Sequence, residues 1–302
     1  MSRHFLVTGA AGFIGMHTAM RLLERGDTVV GLDNLNDYYD PALKLGRLDV
    51  LAKYPGFRFI KGDLVDRDLM ADLFSTEKFD GVVHLAAQAG VRRFVFMSSV
   101  KVNGERTSLD CPFTPNDMPM PEDAYGVSKW EAEQALQSIA QTSQMELVVI
   151  RPPLVYGPGV KGNFSRLIQW VRAGIPMPLG AVHNKRSLVA LDNLVAFTAL
   201  CANLAESPKA AGEVFLVSDG DDVSTTELLH RVARAYACKA RLLPVPTWFL
   251  SHAVRLLGRS AAAERLLGSL TLDSSKAYEL LGWQPSVTMD EQLRRMANVT
   301  PH

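Results

Sequence analysis

Residues 5–15 read FLVTGAAGFIG. Phe5, Leu6 and Val7 form a short apolar run that ends in Thr8-Gly9, and glycines recur at three-residue spacing at Gly9, Gly12 and Gly15. Residues 16–25 then read as a helix. Strand, glycine turn and helix in that order present backbone N–H groups and a helix N-terminus to an anion. Gly9 allows the tight turn, Gly12 lets a pyrophosphate approach the backbone, and Gly15 lets the helix pack closely on the strand, with Phe13 and Ile14 on the same turn. A glycine triplet alone also punctuates ordinary loops. Here a second strand, residues 28–32, ends in Asp33, eighteen positions beyond Gly15, where a carboxylate meets the ribose hydroxyls of a dinucleotide.

The chain has 302 residues, 47% of them hydrophobic, with 32 Lys and Arg against 32 Asp and Glu. That is ample for one large or two modest globular domains. The zero net charge gives no electrostatic reason to expect nucleic acid or an anionic membrane as partner. Cys111, Cys201 and Cys238 form no CxxC pair, which argues against a disulfide framework or a metal cluster and fits a reducing cytoplasm. The N-terminal apolar run is too short for a signal peptide, and no stretch is long and apolar enough to span a bilayer.

Beyond Asp33-Asn34 comes a polar loop, then a helical run from Pro41 to about Lys53. Residues 57–61 read as a third strand ending in Gly62-Asp63-Leu64. An acidic residue just past the carboxyl end of a strand lies on the ligand side of a parallel sheet. A helix over 66–74 follows, with Asp66 as its N-cap. Strands at 81–85 and 93–97 come next, the first followed by Ala86-Ala87-Gln88 and the second by Ser98-Ser99. Near-continuous apolar strands alternating with helices predict an α/β, doubly wound parallel sheet. The pattern then breaks. Only seven residues separate Leu85 from Arg93, whereas parallel neighbours need a crossover of roughly a dozen or more, usually a helix. One crossover helix is therefore missing, or these strands do not pair in the usual order. A strong helix spans 123–142 and a strand 147–151. The texture then changes: short strands at 188–191 and 214–217, a helix capped by Asp192, a capping box at Ser224 to Glu227, and helices at 248–257, 262–267 and 273–281. The division predicted is a dinucleotide domain, residues 1–156, and a smaller mixed α/β domain, residues 157–302, with about 183–206 packing back on the first.

Tyr125 and Lys129 are spaced i, i+4 at the start of a helix, so their side chains share one face. Positive charge nearby stabilises a phenolate, and a phenol tuned that way takes or returns a proton near neutral pH. Ser99, at the end of the preceding strand, can hydrogen-bond the same substrate oxygen.

TGAAGFIG, Asp33, GDL at 62–64, HLAAQ at 84–88, Ser98-Ser99 and YGVSK at 125–129 together resemble the extended short-chain dehydrogenase/reductases, which act mainly on nucleotide sugars. The likeness continues through RPPLVYGPG, NKRSLVALDN and LLGWQP. It implies a Rossmann-type domain with a nucleotide-sugar-binding domain. By that resemblance Asp63 and Leu64 line the adenine pocket, Leu85, Ala86 and Ala87 the nicotinamide path, and Ser99, Tyr125 and Lys129 form the catalytic set. Arg186 matches the arginine that grips the nucleotide diphosphate. Asn163 either touches the sugar or diphosphate or caps the helix after it. Asp33 would repel a 2′-phosphate and Asn34 offers no cation, so NAD is the cofactor expected rather than NADP.

Dehydratases of this superfamily carry an acidic pair just after the serine. Val100-Lys101 stand there, so elimination lacks its acid. Two chemistries remain: a UDP-hexose 4-epimerase working through a transient 4-keto sugar, and a 4-keto reductase of O-antigen synthesis. Residues 1–92 look most like uronate-type UDP-sugar 4-epimerases, and residue 93 onward more like the O-antigen epimerase/reductases. The change of likeness falls where the crossover helix is missing, which suggests a deletion or joining with roughly thirty residues lost by comparison with a usual βα unit. The resemblance implies a homodimer built partly on that helix. An uncovered sheet face predicts exposed apolar surface, reduced stability and altered oligomerisation. If the site is disabled as well, an NAD-binding scaffold is the reading of another class.

Overall fold

The computed structural model describes residues 2–36, 41–63, 66–83, 92–108, 111–256 and 267–298. The strands are β1 His4–Thr8, β2 Thr28–Asp33, β3 Phe57–Lys61, β4 Gly81–Val83, β5 Arg93–Met97, β6 Glu146–Arg151, β7 Leu154–Tyr156, β8 Leu188–Ala190 and β9 Val214–Leu216. The helices are α1 Phe13–Glu24, α2 Pro41–Leu51, α3 Arg67–Thr76, α4 Ala124–Thr142, α5 Asn163–Arg172, α6 Leu191–Ala202, α7 Thr225–Ala235, α8 Thr247–Leu256, α9 Ser275–Leu281 and α10 Met289–Asn298. Seven strands form one parallel sheet in the order β3-β2-β1-β4-β5-β6-β9, and β7 pairs with β8 separately. The order reverses between β1 and β4. A ligand crevice is expected there, beyond the carboxyl ends of the strands.

Alternate residues of each strand enter different layers. Phe5, Val7, Val29 and Val95 pack with Leu22 of α1 and Phe197 of α6. Leu6, Val30, Val82, Phe94 and Phe96 pack with Met70 and Leu73 of α3 and Leu136 of α4. Burial on both faces explains why these strands are apolar throughout rather than alternating. A further cluster joins Tyr156 and Leu188 of the small pair to Ile168 of α5, Val232 of α7 and Leu293 of α10. A buried polar knot ties the β7–β8 pair down. Asp219 accepts from the Tyr156 hydroxyl at 2.7 Å, the Ala190 N–H at 2.9 Å and the Asn193 amide at 2.7 Å. Burial pushes the Asp219 carboxyl up, and these donors act against it.

β4 and β5 do pair as adjacent parallel strands, Val82 opposite Phe94 and Val83 opposite Val95. Of the two sequence-based alternatives, pairing out of the usual order is excluded: nine residues, 84–92, join the adjacent β4 and β5. An extended chain of that length reaches about 30 Å, further than the roughly 10–17 Å length of a strand of three to five residues. The expected bare face is corrected. Leu6, Val82, Phe94 and Phe96 are each at most 1% exposed. Leaving them in water would forgo about 1.5–3 kcal/mol apiece, comparable in sum to the ~5–15 kcal/mol net stability of a domain. Large side chains on α3 and α4 meet them, with Leu69, Phe74 and Phe79 filling in behind. Three further differences are local. β7 and α10 were not anticipated, and α6 starts at Leu191 with Ala190 as its N-cap, so Asp192 sits in the first turn, where its charge suits the helix dipole.

Candidate active site

The glycine turn has the geometry its sequence demands. Gly9 sits at φ +63°, a conformation that favours glycine, and a Cβ on Gly12 would lie 2.9 Å from the Gly9 carbonyl oxygen. A Cβ on Gly15 would overlap that same oxygen. Gly12 is the N-cap of α1, no side chain caps the helix, and its first turn holds no acid. The turn is a cradle that side chains would fill, at the positive end of a helix, and it fits a pyrophosphate. Gly15→Ala forces the turn open, so we expect dinucleotide affinity to fall at least about tenfold by calorimetry. Unchanged affinity would move the cofactor seat elsewhere.

Asp33 is buried at the end of β2. Its carboxylate accepts from the Ala11 N–H at 3.1 Å, the Leu35 N–H at 2.8 Å and the Lys44 ammonium at 3.2 Å. Asn34 donates to Asp63 at 2.9 Å, joining the ends of β2 and β3. Sequence reading missed Lys44. It stands on α2, across the loop, and also donates to Asn36 at 2.9 Å. Its charge is engaged by Asp33 rather than offered to a 2′-phosphate. Arg47, one turn on, donates to the Ala11 carbonyl at 3.2 Å, and its guanidinium lies 5.9 Å from the Phe13 ring centroid. Basic residues at i, i+3 on the helix after the loop were the available signal. Leu64, Leu85, Ala86 and Ala87 lie outside the described residues.

α4 carries Tyr125 in its first turn, capped by Asp123, whose side chain accepts from the Gly126 N–H at 2.7 Å. Partial burial raises the Asp123 carboxyl, but the Lys101 ammonium and that N–H outweigh it and hold it below the ordinary value. The i, i+4 spacing does what helical geometry predicts. The Lys129 ammonium lies 5.8 Å from the Tyr125 ring centroid and donates to the Met97 carbonyl at 3.1 Å. That bond ties the pair to the end of β5, two residues before Ser99. Burial lowers the Lys129 pKa, and Glu133, one turn on, opposes the shift. Tyr125 is 52% exposed and so open to a ligand. Ser99 caps a short 3-10 turn, Val100–Val102, its side chain accepting from the Lys101 N–H. Sequence reading also missed the support behind this set. Buried Glu133 takes two bonds from Arg151, at 2.9 and 2.5 Å, and one from Ser98, while Arg151 also donates to Asn103 at 3.0 Å.

Arg186 precedes β8. Its backbone pairs with Val223, and its guanidinium donates to the Gly268 carbonyl at 3.2 Å. Burial lowers its pKa and Glu105 acts against that. Glu105 is paired with Lys101 at 2.9 Å, and Lys101 is paired with Asp123, so a string of charges links Arg186 to the cap of the Tyr125 helix. Both carboxylates that pair with Lys101 hold its ammonium at the short 3-10 turn after Ser99. Asn163 is the first residue of α5 and exposed; Gly162 is the N-cap, with no side-chain cap bond, so the capping role is corrected. The 157–160 turn places Gly159 beside Phe13 of α1, which brings the second half of the chain to the glycine turn.

A family profile described as GDP-mannose 4,6 dehydratase matches residues 6–95, and one described as NAD dependent epimerase/dehydratase family matches residues 86–217. A Vibrio cholerae UDP-glucose 4-epimerase is 40% identical over 317 residues, 98% of this chain and 95% of that protein. The chain belongs to the NAD-dependent epimerase/dehydratase family. A UDP-glucuronate 4-epimerase of Thermodesulfobacterium geofontis is 27% identical, again over 98% and 95% of the two chains. The Bacillus cereus UDP-glucuronic acid 4-epimerase, solved with NAD, superposes with TM-score 0.79 at 24% identity, covering 98% of this chain and 97% of that one, and thus shares the fold. The two profiles overlap at 86–95, where the likeness changes in the sequence. The Vibrio alignment is longer than the 302 residues present, so that relative of the epimerase/dehydratase family carries segments this chain lacks.

Proposed function

We propose that the protein is an NAD-dependent 4-epimerase of a UDP-hexose, acting through a transient 4-keto sugar. The observation that carries this reading is the Tyr125–Lys129 pair, tied by Lys129 to the strand end that leads into Ser99. Bound NAD supplies the hydride acceptor and donor at C4. Tyr125 takes the proton of the sugar 4-hydroxyl and returns it once the keto sugar has presented its other face. Ser99 hydrogen-bonds the same oxygen and holds it at the phenol. Lys129 supplies the positive charge that favours the phenolate. Asp33, Asn34 and Asp63 hold the adenosine end, and the glycine turn holds the pyrophosphate. Arg186 and Asn163 grip the nucleotide diphosphate and sugar. The same reading expects a cytoplasmic protein whose oligomerisation departs from the homodimer of the family, because the crossover helix that would help build that dimer is missing.

The test needs no added cofactor. Purified protein is incubated separately with UDP-glucose, UDP-N-acetylglucosamine and UDP-glucuronate, and the sugars are resolved. Conversion of one of them to its 4-epimer is expected. NADH consumption only with a 4-keto sugar would replace the epimerase by a reductase. Release of NAD on denaturation, with no turnover of any sugar, would leave a binding scaffold.

A further inference from the structure

The neutral total conceals an uneven distribution of charge. Residues 152–191 and residues 228–256 contain no Asp or Glu. The two stretches meet in the fold: the Met177 N–H donates to the Arg241 carbonyl at 2.9 Å, and the Leu243 N–H donates back to the Met177 carbonyl at 2.8 Å. Beside this pairing, Trp170, Ile175 and Leu243 are exposed, and Trp248 and Phe249 at the start of α8 are 66% and 54% exposed. Arg166, Arg172, Lys239 and Arg241, on the same two stretches, are exposed as well. The Arg172 guanidinium lies over the Tyr236 ring at 5.4 Å, which holds that charge at the surface.

Two large aromatic side chains in water, with aliphatic neighbours and cations and no acid on either stretch, have the composition of a surface that sits in the headgroup layer of a bilayer. We propose that this face, made by the end of α5, the loop after it and the start of α8, docks reversibly on an anionic lipid bilayer. Trp248 and Phe249 enter the boundary between headgroups and acyl chains, and the arginines and Lys239 meet lipid phosphates. No helix among the described residues is long and apolar enough to cross a membrane, so the protein lies on the surface rather than spanning it. A second copy of the chain is the poorer occupant. A two-fold contact sets the same patch against itself and opposes arginine with arginine.

The experiment is co-sedimentation of the full chain with phosphatidylcholine vesicles, and with vesicles that also contain phosphatidylglycerol. The protein is expected to pellet with the anionic vesicles only, and to be released as salt is raised. Trp248→Ser with Phe249→Ser, and separately Lys239→Gln with Arg241→Gln, should abolish pelleting while sugar turnover stays at the parent level, since none of these residues belongs to the candidate active site. The proposal is overturned if neither vesicle is bound, if both are bound equally, or if the variants pellet like the parent. Self-association of the parent that the Trp248→Ser, Phe249→Ser variant loses would assign the face to a second copy and overturn it as well.

Discussion

Tyr125→Phe is expected to lower turnover of the nucleotide sugar by about two to four orders of magnitude, the usual contribution of a positioned general acid–base, while bound NAD is retained. The phenol oxygen is the only group the change removes. The ring stays, so the cation contact from Lys129 and the packing at the start of α4 survive. The Lys129 bond to the Met97 carbonyl holds the ammonium at the end of β5 whatever stands at position 125. Initial rates on whichever UDP-sugar the parent protein converts, with NAD content measured after denaturation, separate loss of chemistry from loss of cofactor. Turnover within a few-fold of the parent would remove Tyr125 from the proton path.

Glu133→Ala is expected to cost about 3–5 kcal/mol of stability, the penalty for removing one partner of a buried ion pair. Glu133 and Arg151 are each 3% exposed, and the carboxylate takes two bonds from the guanidinium and one from Ser98. Its loss strands a charged guanidinium under the sheet. Urea denaturation measures the effect, and a cost below about 1 kcal/mol would contradict it. Replacing both partners, Glu133→Leu with Arg151→Met, should recover most of the loss, because no unpaired charge remains. The gentler Glu133→Gln tests the link to the site. Burial already lowers the Lys129 pKa, and the Glu133 carboxylate is what opposes it. Without that negative charge the ammonium is lost at lower pH, so the alkaline limb of the pH–rate profile should move toward neutral.

The parts of the site legible in the sequence are those set by local geometry. Gly9, Gly12 and Gly15 are required by a turn of seven residues, and the clash of a Cβ with the Gly9 carbonyl makes that requirement steric. Tyr125 and Lys129 meet because helical spacing puts them on one face. The hidden parts depend on residues far apart along the chain. Lys44 reaches Asp33 from another helix. Glu133, Arg151, Asn103 and Ser98 form one network only once α4 lies on the sheet. The cover over Leu6, Val82, Phe94 and Phe96 depends on the bulk of Met70, Leu73 and Leu136, which no count of crossover residues could supply. β7 was masked by Pro152-Pro153, which break a strand pattern. α10 buries only Met289, Gln292, Leu293 and Met296 along a highly charged helix, a stripe that is clear only when its partners on α7 are known.

The central claim is that the hydrogen leaves C4 as hydride, is held within the complex while Tyr125 carries the proton, and comes back to the other face of the same carbon. UDP-hexose deuterated at C4, converted in ordinary water and examined by mass spectrometry and proton NMR, tests this directly. Full retention of deuterium at C4 of the epimer is expected; its replacement by solvent hydrogen would contradict the claim.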